Sequence, residues 1–146
     1  MRIQQAAFGK RKPFLKGALH CHTTRSDGKG TPEEVIRLHH ENGYHFMALT
    51  DHNNIDGLPE FLAAAKDKPI TAIPGAEFSV DYGGIELHLL GLFVQPEQYA
   101  AVDRIVKEQH VLKEISNMEL VERLTQAGYQ IDYAKVKRRN PTGNAN

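Results

Sequence analysis

His20 and His22 stand one residue apart, and Asp27 follows five positions after His22 in the turn Ser26-Asp27-Gly28. Asp51 and His52 are adjacent, Glu77 follows Pro74-Gly75-Ala76 in an otherwise apolar run, and His88 lies in Glu86-Leu87-His88-Leu89. These residue types hold cations. Imidazole and carboxylate together suit a zinc-like ion, and a carboxylate can bridge two ions a few ångströms apart. Two histidines at i and i+2 on a strand project from one face, so both rings can reach a single ion at about 2.1 Å. A charge at Glu77, set among apolar residues, is costly without a counter-cation.

Each residue also has a plainer reading. Asp27 is a common turn former before glycine, Asp51 and His52 can cap a following helix, and His88 can pair with Glu86 on the same strand face. His39, His40, His45 and His110 fall on predicted helices or helix ends and read as structural. Cys21 alternates away from the His20–His22 face and reads as a small buried apolar side chain. Arg25, beside the set, is a candidate contact for a substrate phosphate. No serine or cysteine nucleophile with a base partner is evident, so no covalent intermediate is expected.

The pattern around these residues predicts strands and helices in alternation. "FLKGALHCH" is a short strand, and "TPEEVIRLHHENG" is a helix with Thr31 as N-cap, Pro32 at its first position, Glu34 closing a capping box and Gly43 at the stop. Val35, Leu38 and His39 are expected on its apolar face. "YHFMALTDHN" is a buried strand ending at Asp51 and His52, "LPEFLAAAKDK" a helix, and "ITAIPGAEFSV" a strand with Glu77 at its end after a Pro-Gly turn. "DYGG" then turns the chain into "IELHLLGLFV" as a hairpin. Strands separated by helices pair in parallel, and functional groups collect where such strands end. From Pro96 the sequence is strongly helical to Gly128, as one helix or two. A basic half-helix, "KVKRR", reads as a solvated face, and a Pro-Thr-Gly-Asn turn follows it. The domains expected are an arm over 1–13, a partial barrel over 14–95, and a helical segment with a truncated end over 96–146.

With 146 residues, 18 basic against 18 acidic side chains and one cysteine, the chain is the size of one domain. It has no net field to attract nucleic acid or a membrane, and no disulfide framework. No run is apolar enough for a signal peptide or a membrane span, so a cytoplasmic location is the expectation.

The blocks "HCH" with "SDG", "LTDHN", "IPGAEFS" and "ELHLLG" occur in order from about Leu15 to Phe93. Together they resemble the first four motifs of the polymerase and histidinol phosphatase (PHP) family. The helical stretch after "HLLGLFV" is similar to bacterial PHP phosphoesterases that act on small phosphate esters, nucleotide-type ones included. The resemblance implies an α/β fold: the N-terminal part of a distorted (β/α)7 TIM-like barrel, followed by a long helical insert. It also implies up to three divalent ions (Zn, Mn or Fe) in the complete domain. His20 and His22 would bind one, Glu77 would bridge it to a second held partly by His88, and Asp27 with His52 would bind the third, with Asp51 orienting His52 from behind.

Bridging ions lower the pKa of a bound water and hold phosphoryl oxygens, so the expected nucleophile is hydroxide. Family members continue to a further histidine and a late aspartate and histidine. Here His110 is the only histidine after His88, and a barrel typically needs ~250 residues. The chain therefore reads as an N-terminal portion whose open side exposes apolar strand surface, to be covered by self-association or a companion segment. A small phosphate ester is the expected substrate, and an oligonucleotide is not excluded. The other readings are an amidohydrolase-like hydrolase of C–N or C–O bonds, suggested by the HxH on the first strand, and an inactive truncated module.

Overall fold

The computed structural model describes residues 14–139, so the basic arm and the Pro-Thr-Gly-Asn turn lie outside the described residues. A four-stranded mixed sheet, in the order β1-β2-β3-β4, is packed by two short helices. Strands β1 (Gly17–Ala18), β2 (Phe46–Leu49) and β3 (Thr71–Tyr82) pair in parallel, and β4 (Ile85–Leu92) returns antiparallel along β3. Helix α1 (Pro32–Glu41) joins β1 to β2, and α2 (Leu58–Ala65) joins β2 to β3. The alternation of strand and helix forces the parallel register of the first three strands. The Gly83-Gly84 turn, with φ of +63° and +84°, permits the tight reversal into β4.

Helix α1 starts as its sequence dictates. The Thr31 side chain accepts from the Glu34 N–H at 3.2 Å, Glu34 accepts from the Thr31 N–H at 2.8 Å, and Gly43 leaves the helix at φ +76°. Its buried face is Pro32, Val35 and Ile36, whereas Leu38 is exposed. The helix is thus rotated by a fraction of a turn from the face expected. With Ile36, the residues Met47, Leu49, Leu58, Phe61 and Ile70 form a core between the helices and the sheet. Phe61 is fully buried there, which ties α2 firmly to the sheet that carries the site.

Two further expectations are corrected. Pro74-Gly75 is not a turn, because β3 runs straight through it. Gly75 is needed there for close approach, since a Cβ would lie 2.7 Å from the Gly91 oxygen of β4. Glu77 is consequently mid-strand. It lies where the pairing with β2 finishes, at the His52–Glu77 bridge, while β3 continues along β4 to Tyr82.

Beyond β4, a 3-10 turn (Pro96–Gln98) leads into one continuous helix, α3 (Tyr99–Gln126), and then α4 (Tyr133–Arg139), the basic half-helix. Glu114 ties α3 to α4 by accepting from Tyr133 Oη at 2.9 Å and Lys137 Nζ at 2.8 Å. Val106 is the buried residue of α3, and Ile105, Leu112, Ile115 and Leu120 of its apolar stripe are exposed. Strand β4 likewise presents Ile85, Leu87, Leu89 and Leu90 to solvent. The exposed apolar surface is that of an open sheet rather than a closed barrel.

Candidate metal centre

The site is assembled at the C-terminal ends of β1 and β2 and across β3 and β4. The extended chain after β1 continues alongside β2, with the Thr50 N–H donating to the Cys21 carbonyl at 2.9 Å and the Cys21 N–H to Thr50 Oγ1 at 3.0 Å. Cys21 packs against the core, and His20 and His22 project to the other side. Burial pushes the Cys21 thiol above its ordinary pKa, which makes it a poor nucleophile at neutral pH. Chain pairing beyond β2 is equally tight. The Glu77 N–H donates to the Asp51 carbonyl at 3.1 Å and the Asn53 N–H to the Glu77 carbonyl at 2.8 Å, so His52 is delivered beside Glu77. Asn53 adopts φ +41°, and its side chain bonds both the backbone and the hydroxyl of Ser79. Sequence reasoning assigned Asn53 no part in the site, although Asn after a strand end is a signal for such a left-handed residue.

Glu77 is the point of convergence. One carboxylate oxygen lies 2.9 Å from His20 Nε2, 3.2 Å from His22 Nε2 and 3.3 Å from His52 Nδ1, and the other lies 3.0 Å from His88 Nδ1. His22 Nε2 and His20 Nε2 are 2.9 Å apart. Donor atoms of three groups are mutually within 4.8 Å: His20, His22 and Glu77; His22, Asp27 and His52; and His52, Glu77 and His88. His39, His40, His45 and His110 belong to none of them. His39 instead bonds the Val35 carbonyl at 2.8 Å, and His45 accepts from the Lys16 N–H at 3.0 Å.

Electrostatics favour ligation. Burial works to raise the Glu77 carboxyl, but the hydrogen bond from His20 and the fields of His52, His20 and His22 outweigh it and hold the group below its ordinary value. Burial and the neighbouring His52 ring hold His22 below its own, against the opposing pull of Asp27 and Glu77. At neutral pH this gives an ionised carboxylate facing an imidazole with a free lone pair, the donor set a divalent transition ion takes.

Asp51 and Arg25 are placed differently. Asp51 is buried, and its carboxylate accepts from the Thr23 N–H at 2.7 Å, Thr23 Oγ1 at 2.6 Å and Ser26 Oγ at 2.6 Å. It grips the loop that carries Asp27 rather than the ring of His52. The Thr23 carbonyl accepts from the N–H groups of Ser26 and Gly28 at 3.0 and 2.9 Å, closing the loop on itself. Arg25 reaches outward to Glu60 of α2 at 2.8 Å.

The loop leaves no room for a side chain at Gly28, where a Cβ would sit 2.3 Å from the His22 carbonyl oxygen. Gly28→Ala must move backbone, so we expect a loss of about 1–3 kcal/mol, the range for overpacking. Urea unfolding of the variant checks this, and an unchanged midpoint would contradict the loop geometry.

Comparison with known proteins places the chain in a family. A family model described as the PHP domain matches residues 18–138. The chain belongs to the PHP domain family. A 5'-3' exoribonuclease from Haemophilus influenzae is 33% identical over 119 residues, covering 82% of this chain and 43% of that protein. A 3',5'-nucleoside bisphosphate phosphatase from Chromobacterium violaceum is 40% identical over 82 residues, covering 56% of this PHP chain and 29% of the relative.

Among solved structures, an amidohydrolase from Chromobacterium violaceum, determined with bound sulfate and no metal, aligns at TM-score 0.70 and 30% identity. That alignment covers 90% of this chain and 46% of the other. A metal-dependent phosphoesterase from Bifidobacterium adolescentis shares the fold at TM-score 0.70 and 24% identity, over 85% of this chain and 43% of its own. The PHP chain thus spans less than half the length of these relatives. Its curled sheet is part of the PHP fold. No described helix is long and apolar enough to cross a membrane.

Proposed function

We propose that this PHP chain contributes the metal-binding half of a metal-dependent phosphoesterase that hydrolyses small phosphate esters, nucleotide-type esters among them. The observation that carries the reading is the buried Glu77 carboxylate, 3% exposed, faced by four imidazoles at 2.9–3.3 Å. His20, His22, Glu77, His52 and His88 would hold divalent ions, Zn, Mn or Fe, and their chemistry fits that role. When bound, such ions supply acidification of water and neutralisation of phosphoryl charge. The protein's own contribution is placement: β3 fixes Glu77, the β2–β3 pairing fixes His52, and the hairpin fixes His88.

The relatives' names span a bisphosphate phosphatase, an exoribonuclease and a phosphoribosyl 1,2-cyclic phosphate diphosphodiesterase from Eggerthella lenta. All three names describe cleavage of phosphate esters, which supports that class of substrate. Competing with this is C–N or C–O bond hydrolysis, supported by the amidohydrolase among the structural neighbours. Assay of the complete protein with manganese or zinc should show turnover of p-nitrophenyl phosphate or a nucleoside bisphosphate and none of simple amides and carboxylic esters. Activity on amides or esters alone would overturn the phosphoesterase reading.

A further inference from the structure

Strand β2 reaches the site by a single thread. Its paired register with β3 ends at Leu49 and Pro74, and beyond it His52 meets Glu77 in an isolated parallel bridge. That bridge consists of the Glu77 N–H on the Asp51 carbonyl and the Asn53 N–H on the Glu77 carbonyl. If the ladder continued, the next rung would run from the Ser79 N–H to the Asn53 carbonyl. Asn53 instead takes φ +41°, and the chain turns out of the sheet. Its side chain makes the rung in place of its backbone. The Ser79 N–H donates to Asn53 Oδ1 at 3.1 Å, and Asn53 Nδ2 donates to Ser79 Oγ at 3.2 Å. Ser79 is in turn the cross-strand partner of His88 on β4. The Asn53–Ser79 clamp thus joins the segments that deliver His52 and His88, whose rings lie edge to face with centroids 5.1 Å apart. Donor atoms of both rings and of Glu77 lie within 4.8 Å of one another.

Building on the reading of Glu77 as part of an ion site, we propose that Asn53 is a positioning residue: its side-chain amide completes the last rung between β2 and β3 and so fixes His52 against Glu77 and His88. Three requirements meet in this residue type. The position needs a left-handed backbone, which Asn and Asp adopt more readily than other side chains. It needs an acceptor for the Ser79 N–H, the donor that the departing backbone leaves behind. It also needs a partner for Ser79 Oγ. Glycine meets the first requirement alone. Aspartate meets the first two, and for the third it can accept the proton of the hydroxyl. A lone bridge opens more easily than a ladder, so losing the amide should be felt at His52 before it is felt in the core.

Amide hydrogen exchange of the metal-free protein and calorimetric zinc titration test the assignment on Asn53→Gly and Asn53→Asp. In Asn53→Gly the Ser79 and Glu77 amides should exchange about tenfold faster, as expected for the loss of one or two ordinary hydrogen bonds. The amides of Phe46–Leu49 that pair with β3 should keep their protection, and Asn53→Asp should restore slow exchange at Ser79 and Glu77. Zinc affinity should fall about 10- to 100-fold in Asn53→Gly and recover in Asn53→Asp. Unchanged exchange at Ser79 and Glu77 in Asn53→Gly, equal acceleration throughout the sheet, or faster exchange with unaltered zinc affinity would each overturn the proposal. Should Asn53→Gly fail to fold, Ser79→Ala removes only the Nδ2 partner, and wild-type exchange at Glu77 in that variant would equally overturn it. A wild-type protein that binds no zinc would sink the phosphoesterase reading instead, and exchange at Glu77 would still decide whether the clamp holds His52 in place.

Discussion

Replacing Glu77 by glutamine should abolish tight zinc binding. The substitution keeps shape and size but removes the one anion that His20, His22, His52 and His88 all face. An ion held there would lose its charged ligand. Electrostatic stabilisation by such ions is worth several kcal/mol in a transition state, and each 1.36 kcal/mol is a factor of ten. Any phosphatase turnover should accordingly fall about a thousandfold. The metal-free fold should lose only about 1.5–3 kcal/mol, the scale of hydrogen bonds to a charged group. Elemental analysis after dialysis, beside a denaturant melt, separates the two effects. A Glu77→Gln chain that still retains tightly bound zinc would show that the convergence on Glu77 is incidental.

The members of the candidate cluster were legible in the sequence because their chemistry and their periodicity agree. The i, i+2 spacing of His20 and His22 places both on one face of an extended segment, and Asp51-His52 falls where an apolar strand must end. Glu77 stood out as a charge in an apolar run. What the sequence concealed was direction. Asp51 and Glu77 are both carboxylates on neighbouring paired segments, yet one faces hydroxyls and an amide while the other faces imidazoles. Strand alternation sets a side chain's face, not its partner. Asp51's partners sit in a loop whose shape depends on Gly28 packing against the His22 carbonyl.

The fold shows the same division. Strand and helix order, the capping box and the hairpin follow from local rules. The displacement of Leu38 from the buried face follows from where α2 and the sheet happen to lie, which is tertiary information. Pro74-Gly75 read as a turn because those residues punctuate chains. The strand continues because Gly75 and Gly91 let two backbones approach.

Metal-stripped protein should become less stable as pH falls below about 6.5, with a further loss below about pH 4.3, and zinc should exaggerate the slope. His22 is held below its ordinary value by burial and by His52. Its neutral form is favoured in the folded chain, and the stability this gives is full above about pH 6.5 and is lost as pH falls through the lowered folded value. Glu77, held down by His20, His52 and His22 against the opposing effect of burial, acts in the same sense further down. Its contribution is present above about pH 4.3 and disappears in stronger acid. Neither group stabilises the acid form, so the two losses follow one another without a compensating rise.

Zinc needs the same deprotonated nitrogens and carboxylate, so protons and ions compete for one set of atoms. At neutral pH a thousandfold excess of zinc over its dissociation constant adds about 4 kcal/mol for one site. At about 2–4 °C per kcal/mol for a chain of this size, the melting temperature should rise by about 10 °C. By about pH 5 that increment should have largely vanished. Thermal melts across this range, with and without a chelator, read both slopes. A zinc-induced shift that is independent of pH would mean that the ion binds groups other than these imidazoles.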